Sequence, residues 1–180
     1  MTDQELEILK YPIGRFLKPS EISIETIAES IECISTFPSR LIAEVLPLSE
    51  RQLDTPYRPG GWTIRQVVNH CADSHMNSFI RLKLALTEDK PVIKPYQEGM
   101  WAELADSKLM PLESALKMLE GIHARWVVVL KSMKASDYKR TFIHPEQGKE
   151  FFLDVNTAIY AWHCNHHLAH ITTLKKQKGW

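Results

Sequence analysis

Along the chain, stretches in which apolar residues recur at helical spacing alternate with stretches that show no period, and four of the periodic stretches are long enough to be helices. The first runs from about Ile22 to Leu46, led in by Pro19 and Ser20 and closed before Pro47. The second follows the GGW at 60–62; Thr63 reads as its N-cap with Gln66 three residues on, a capping-box pattern, and it continues to about Leu86. The third opens at Pro111, a good first-turn residue, and runs through LESALKMLEGIHARWVVVLKSM to about Lys134. The fourth extends from about Val155 to Lys176, with Lys175, Lys176 and Lys178 near its C-terminal end, where cations suit the helix dipole.

The connections between them are long. Residues 47–62 hold PYRPGGW, which is turn chemistry, and residues 88–110 contain two prolines and no clear period. Residues 135–154 include TFIHPEQGKEFFL, where an apolar run, a Pro–Gly turn and a second apolar run predict a small β-hairpin before the last helix. Loops of this length in a compact domain carry function or cross the fold, and one long crossover lets sequential helices run parallel. The expected fold is therefore all-α: a four-helix bundle with long crossover loops, forming a single domain over residues 1–180.

Composition narrows this picture by exclusion. At 180 residues, 44% of them hydrophobic, the chain can bury a core without disulfides or structural staples. Its 22 basic and 22 acidic side chains balance, so no excess charge points to nucleic acid or an anionic membrane as partner. No run approaches the roughly 18 apolar residues of a bilayer span. The opening MTDQELEILKYPIGRF lacks the basic stretch and apolar core of an export signal, so a cytoplasmic protein is expected. Cys33, Cys71 and Cys164 are odd in number and widely spaced, as reduced thiols would be.

The chemistry lies in the histidines, at 70, 75, 123, 144, 163, 166, 167 and 170, four of them inside WHCNHHLAHI on the fourth helix. With His163 as origin and about 100° per residue, His170 falls near −20°, His167 near +40° and His166 near −60°. Ile159, Leu174 and Ile171 fall on the same arc, so the histidines share the face that points into the bundle. Imidazole is costly to bury unless its nitrogens find partners. A single histidine on such a face is usually satisfied by a carbonyl or a polar neighbour; four within eight residues point to a metal. His163–His167 and His166–His170 both have the i, i+4 spacing that stacks two imidazoles close enough to share an ion.

A further ligand has to come from elsewhere, and the second helix offers His70 or His75. His70 lies at the edge of the apolar arc through Ile64, Val67, Val68, Cys71, Phe79 and Leu82, in line with Ser74, Asn77 and Arg81; His75 lies nearer the centre of that arc. A polar stripe beside an apolar face suits a cleft and leans towards His70, but periodicity alone leaves the choice open. Cys71 and Cys164 each neighbour a candidate ligand, and adjacent helical residues point about 100° apart, so both read as small buried side chains. The HExxH protease pattern, a Gly-rich phosphate loop and a CxxC pair are all missing.

YPIGRF near the start, QLDTPYRPGGWTIRQVVNHCADSHMNSFIRLKLALTED, KPYQEGMWAELADS, HARWVVVL and YAWHCNHHLAHI occur in one order that closely resembles the YfiT-like branch of the DinB superfamily. The resemblance covers nearly the whole chain. It implies a four-helix bundle that forms a homodimer and holds one metal per subunit on three histidines. Carried onto this sequence, those are the histidine two residues ahead of ADSHMN, His70, then the first histidine of the WHxxHHxAHI motif, His163, and the second of its HH pair, His167. The resemblance thus decides against His75 and against His166–His170.

Two activities come with the resemblance: metal-dependent hydrolysis of a small-molecule substrate, or thiol S-transfer, in which bacillithiol or a similar low-molecular-weight thiol is added to an electrophile. Three protein ligands with an open position characterise catalytic zinc, whereas structural zinc usually has four. Imidazoles suit several divalent metals; zinc is expected on prevalence, with nickel or another divalent transition metal the alternative. Asp73 and Asn77 are candidates for orienting ligands or touching substrate, with ordinary surface polarity the competing reading. A non-catalytic metal-binding bundle would instead have a coordinatively closed site.

Overall fold

Long helices with apolar stripes can bury them only against one another. The computed structural model, which describes residues 2–180, shows three such helices packed with a fourth, the histidine-rich last one, whose buried face mixes apolar with polar residues. In chain order the elements are α1 (Asp3–Lys10), α2 (Ile24–Val45), α3 (Glu50–Leu53), α4 (Ile64–Thr87), α5 (Glu98–Trp101), α6 (Ala105–Leu109) and α7 (Glu113–Ser132). A 3-10 turn at Asp137–Lys139, strands β1 (Thr141–His144) and β2 (Lys149–Phe152), and α8 (Leu153–Lys178) complete the chain. The bundle is α2, α4, α7 and α8, with α2 packed on α7 and α8, and α4 on the same two. Ile34, Phe37 and Leu41 of α2 meet Ile64, Val67 and Leu82 of α4, Leu119 and Trp126 of α7, and Ile171 of α8 in one core. Each such side chain contributes about 1.5–3 kcal/mol of burial.

Helix directions follow from the hydrogen bonds between them. Cys33 reaches Ala161 and Asn165, 128 and 132 residues on, and Lys175 reaches Glu44, 131 apart; the constant offset makes α2 and α8 parallel. Between α4 and α8 the offset falls from 93 at His70–His163 to 86 at Ser74–Tyr160 and 78 at Ser78–Asn156, so these two are antiparallel. On α4 and α7, His75 meets His123 and Phe79 meets Trp126, so both numbers rise together and this pair is parallel. Sequential bundle helices therefore do run parallel, joined by the crossover at 88–112.

The crossover is held down at both ends. Gln66 of α4 donates to the Ala102 carbonyl at 2.8 Å, and Arg65 donates to Met110 O, Asp54 and Glu50. The β1–β2 hairpin forms as expected, turning at Gly148 with φ +58°, and β1 also pairs with the crossover through Ile93 N to Ile143 O at 3.0 Å.

Local signals explain most helix ends. Thr63 Oγ1 accepts from Gln66 N and Gln66 Oε1 accepts from Thr63 N, completing the expected capping box. The first bundle helix starts at Ile24 rather than Ile22 because Ser23 is the residue that caps it, through Thr26 N. Pro111 lies just ahead of α7 rather than in its first turn, and α8 starts at Leu153 because β2 runs straight into it. Two short capped helices went unread in the sequence: α1, boxed by Thr2 and Glu5, and α3, boxed by Ser49 and Gln52.

Thr63→Ala should remove one cap bond and leave Gln66 half-satisfied. The expected cost is about 1 kcal/mol, read as a lower midpoint in urea unfolding with an unchanged slope.

Candidate metal centre

The antiparallel contact between α4 and α8 brings the histidines together. His163 is the hub. Its Nε2 lies 3.3 Å from His70 Nε2, and its Nδ1 lies 3.0 Å from His75 Nε2. His70 and His75, five residues apart on α4, thus flank opposite edges of one ring. One turn along α8, His167 sets its ring against those of His163 and His70, with centroids 4.4 and 4.8 Å away. Behind them His75 Nδ1 lies 2.7 Å from His123 Nε2 on α7, and His123 Nδ1 lies 2.6 Å from the Ile34 carbonyl on α2.

Among the described residues two trios have the spacing to hold an ion, with ligand atoms within 4.8 Å of one another: His70, His163 and His167; and His166, His167 and His170. The first draws on two helices and the second on α8 alone. In the second, His170 already uses Nε2 on the Lys10 carbonyl, at 3.0 Å. The Nδ1 atoms of His166, His167 and His170 are buried without a hydrogen-bond partner.

A pocket of about 300 Å³ opens on both trios. Its walls are aromatic: Trp62 lies over His70, Trp162 stacks on His166 at 4.4 Å, and Tyr57 stacks on His170 at 4.0 Å. Tyr57 and Arg58 come from the PYRPGGW turn, where Gly60 has φ +64° and a side chain on Gly61 would fall 2.6 Å from Arg58 Cγ. Only glycines there let the turn fold tightly enough to aim both residues at the site. Lys10 and Tyr11 close the pocket from the end of α1, and Glu98 of α5 supplies its carboxylate. Desolvation raises the pKa of Glu98.

Burial dominates the electrostatics of the rings. It holds His70, His123, His166 and His170 down to about 4. It holds His75, His163 and His167 well below the usual imidazole value, with neighbouring histidines adding to the effect. The rings are therefore neutral near pH 7, the state in which imidazole binds a metal.

Of the residues picked out in the sequence, His70, His163 and His167 meet in one trio, and the rejected pair His166–His170 falls in the other. His75 touches the cluster from behind. Asp73 and Asn77 are not among the pocket-lining residues: the Asn77 amide bonds back to the Asp73 carbonyl, and desolvation with the nearby Asp106 raises Asp73 to about 6. Cys71 and Cys164 are buried as expected, and Cys164 turns away to Cys33 on α2. The hydrogen bond from Cys164, with Arg40 beside it, holds the Cys33 thiol down to about 6. Sequence reading missed His123, a lone histidine in the apolar run of α7, whose only signal was its place on the buried face. It also missed Tyr57, Arg58 and Glu98, which reach the site from loops that carry no period.

Fold and site together define a helical bundle with a histidine cluster seated between two antiparallel helices. The chain belongs to the DinB superfamily, which matches residues 34–171. A Bacillus cereus (strain ATCC 10987) protein named "Putative metal-dependent hydrolase" is 54% identical over 172 residues, 96% of this chain and 98% of that one. A protein of the same description from Bacillus thuringiensis subsp. konkukian is 53% identical over the same span. YfiT from Bacillus subtilis, a solved structure described as a probable metal-dependent hydrolase with an unusual four-helix bundle topology, superposes with a TM-score of 0.94 at 44% identity. That match covers 96% of this chain and 99% of YfiT.

Because the folded state holds these rings neutral while the unfolded chain protonates them near 6.5, the native protein binds fewer protons between about pH 6.5 and pH 4. Stability contributed by the neutral rings is complete above that window and is lost as pH falls through it. Urea unfolding of the metal-free protein across the window should show this decline.

Proposed function

We propose that this protein is a metal-dependent hydrolase of small molecules whose divalent ion, zinc on prevalence, is held by His70, His163 and His167. The observation that carries the reading is the 3.3 Å between the Nε2 atoms of His70 and His163. Two zinc–nitrogen bonds of about 2.0–2.1 Å at a tetrahedral angle put their nitrogens about 3.3–3.4 Å apart. The other trio fits less well, since all three of its rings stem from one helix and His170 is engaged with Lys10.

Three neutral ligands leave a coordination position free and the bound site positive, which suits a catalytic rather than a structural role. When bound, the ion supplies Lewis acidity to a scissile carbonyl and to water. The chain supplies the rest. Trp62, Trp162 and Tyr57 exclude water from the reacting group and grip an apolar substrate portion, Arg58 favours an anionic one, and Glu98 is the pocket carboxylate that could carry a proton.

Elemental analysis of purified variants tests the ligand set. His70→Ala, His163→Ala and His167→Ala should each lose most of the metal. His166→Ala and His170→Ala should keep it, with affinities weakened by no more than roughly 10–100-fold. A requirement for His166 or His170 with His163 dispensable would move the ion to the other trio. A turnover screen of the metal-loaded protein then tests the activity: esters and amides in one arm, low-molecular-weight thiols with an electrophile in the other. Hydrolysis that falls with the metal in the first three variants supports the reading, thiol addition alone would make the protein an S-transferase, and no turnover in either arm would leave a binding bundle.

The homodimer implied by the resemblance is part of the proposal. The groove between α4 and α7, where Met76, Ile80, Met118 and Ile122 lie beside Lys83, Lys117 and Arg125, offers an apolar floor for such a contact. Analytical sedimentation should give twice the chain mass of 20.8 kDa, and a monomer at micromolar concentration would count against it.

A further inference from the structure

Pro38 lies inside α2 and leaves a backbone acceptor without its usual donor four residues on. The carbonyl of residue 34 would accept from the N–H of residue 38, and proline has none. His123 fills the vacancy from across the bundle, its Nδ1 lying 2.6 Å from Ile34 O. A carbonyl oxygen can only accept, so the proton of His123 is on Nδ1 and its Nε2 holds a lone pair. At 2.7 Å that lone pair faces His75 Nδ1, which must therefore be the donor. His75 Nε2 is then the acceptor, and across 3.0 Å it takes its bond from His163 Nδ1–H.

The alternation requires each ring to carry a single proton. His75 and His123 sit against Phe37 and Trp126, and His75 and His163 against Tyr160; neither central ring has a hydrogen bond or ion pair to a carboxylate. An unpaired imidazolium among such neighbours is costly, so neutral rings are the stable state.

We propose that the line Ile34 carbonyl–His123–His75–His163 fixes the tautomer of His163, holding its proton on Nδ1 and directing the Nε2 lone pair towards the ion; this rests on the three-histidine reading above. His75 and His123 are thus positioning residues, and Pro38 gives the line its terminus. A hydrogen bond to the far nitrogen of a ligating imidazole sets its orientation and basicity, and losing such a partner typically weakens metal binding.

Nitrogen-15 NMR of the metal-free, unsubstituted protein reads the tautomer directly. His163 is expected as the Nδ1–H form, and an Nε2–H form overturns the proposal whatever any variant does. Zinc affinity by chelator competition supplies the second measurement. His123→Leu, which can neither donate to Ile34 nor accept from His75, should bind roughly 10–100-fold more weakly. His123→Gln can donate through its amide and accept through its oxygen, and should restore most of the affinity. Equal affinity in His123→Leu, or a His123→Gln no better than it, overturns the proposal. If the unsubstituted protein binds no zinc, the three-histidine reading fails, the line's bearing on an ion fails with it, and the NMR result alone decides the tautomer.

Discussion

A histidine buried without a carboxylate has to settle both of its ring nitrogens on neutral partners, and the centre of this bundle is organised around that requirement. His123 and His75 meet it in full, each with one nitrogen donating and the other accepting. His163 meets it on the Nδ1 side and turns Nε2 to the pocket. His167 and His166 do not meet it: their Nδ1 atoms are buried and unpartnered, so the cluster is polarised, satisfied towards α2 and α7 and left partly unsatisfied along α8. A gradient of that kind is what a binding site needs, because a ring already bonded on every side has nothing left to offer a ligand.

The helix directions make this arrangement available. With α2 parallel to α8 and α4 parallel to α7, the histidine pairs on α4 and α8 face each other antiparallel, and α2 and α7 close in from the opposite side. An up-down-up-down bundle would need no long crossover. Here the 88–112 segment is the consequence of running α4 and α7 the same way, and it brings Glu98 to the pocket as it passes. The PYRPGGW turn does the same for Tyr57 and Arg58. The connections thus bring Tyr57, Arg58, Trp62 and Glu98 to the pocket, while the helices bring the histidines and Trp162.

That division also decides what could be read in the sequence. The first three bundle helices were legible by their apolar period, with a side-chain N-cap on α2 and α4 alone of the four, and WHCNHHLAHI was legible because imidazoles on a buried face demand a common explanation. Between His70 and His75 periodicity had no purchase, since both are buried and both touch His163; they differ only in which of its nitrogens they face. His123 was illegible for another reason. Its partners are Ile34, 89 residues away, and His75, 48 away, and neither separation leaves a local pattern. Helix α1 carries its capping box openly in Thr2 and Glu5, but eight residues with no buried side chain give periodicity nothing to detect. Its value to the fold is the carbonyl of Lys10 and the ring of Tyr11, neither of which hydropathy can register.

Pro38 is the one residue at which the sequence contradicts its own helix. Proline in a helix interior costs about 3 kcal/mol relative to alanine, through a missing hydrogen bond and a clash with the carbonyl four residues back. Yet α2 continues through it to Val45, with Phe37 and Leu41 buried completely on either side. Packing can outweigh that cost, but packing alone gives no reason for a proline where alanine would fit the same helix better. The bond from His123 gives one. With an N–H at residue 38, one of the two lone pairs of the Ile34 carbonyl would be engaged within α2, so that oxygen would be a weaker acceptor for His123 and would hold its tautomer less firmly. Reversal would propagate through His75 and leave the His163 proton pointing at His70. A local rule broken where the break supplies something used elsewhere is the pattern expected near a functional site. On this view Pro38, which touches none of the candidate ligands by hydrogen bond, strengthens the acceptor on which the proposed His163 tautomer rests.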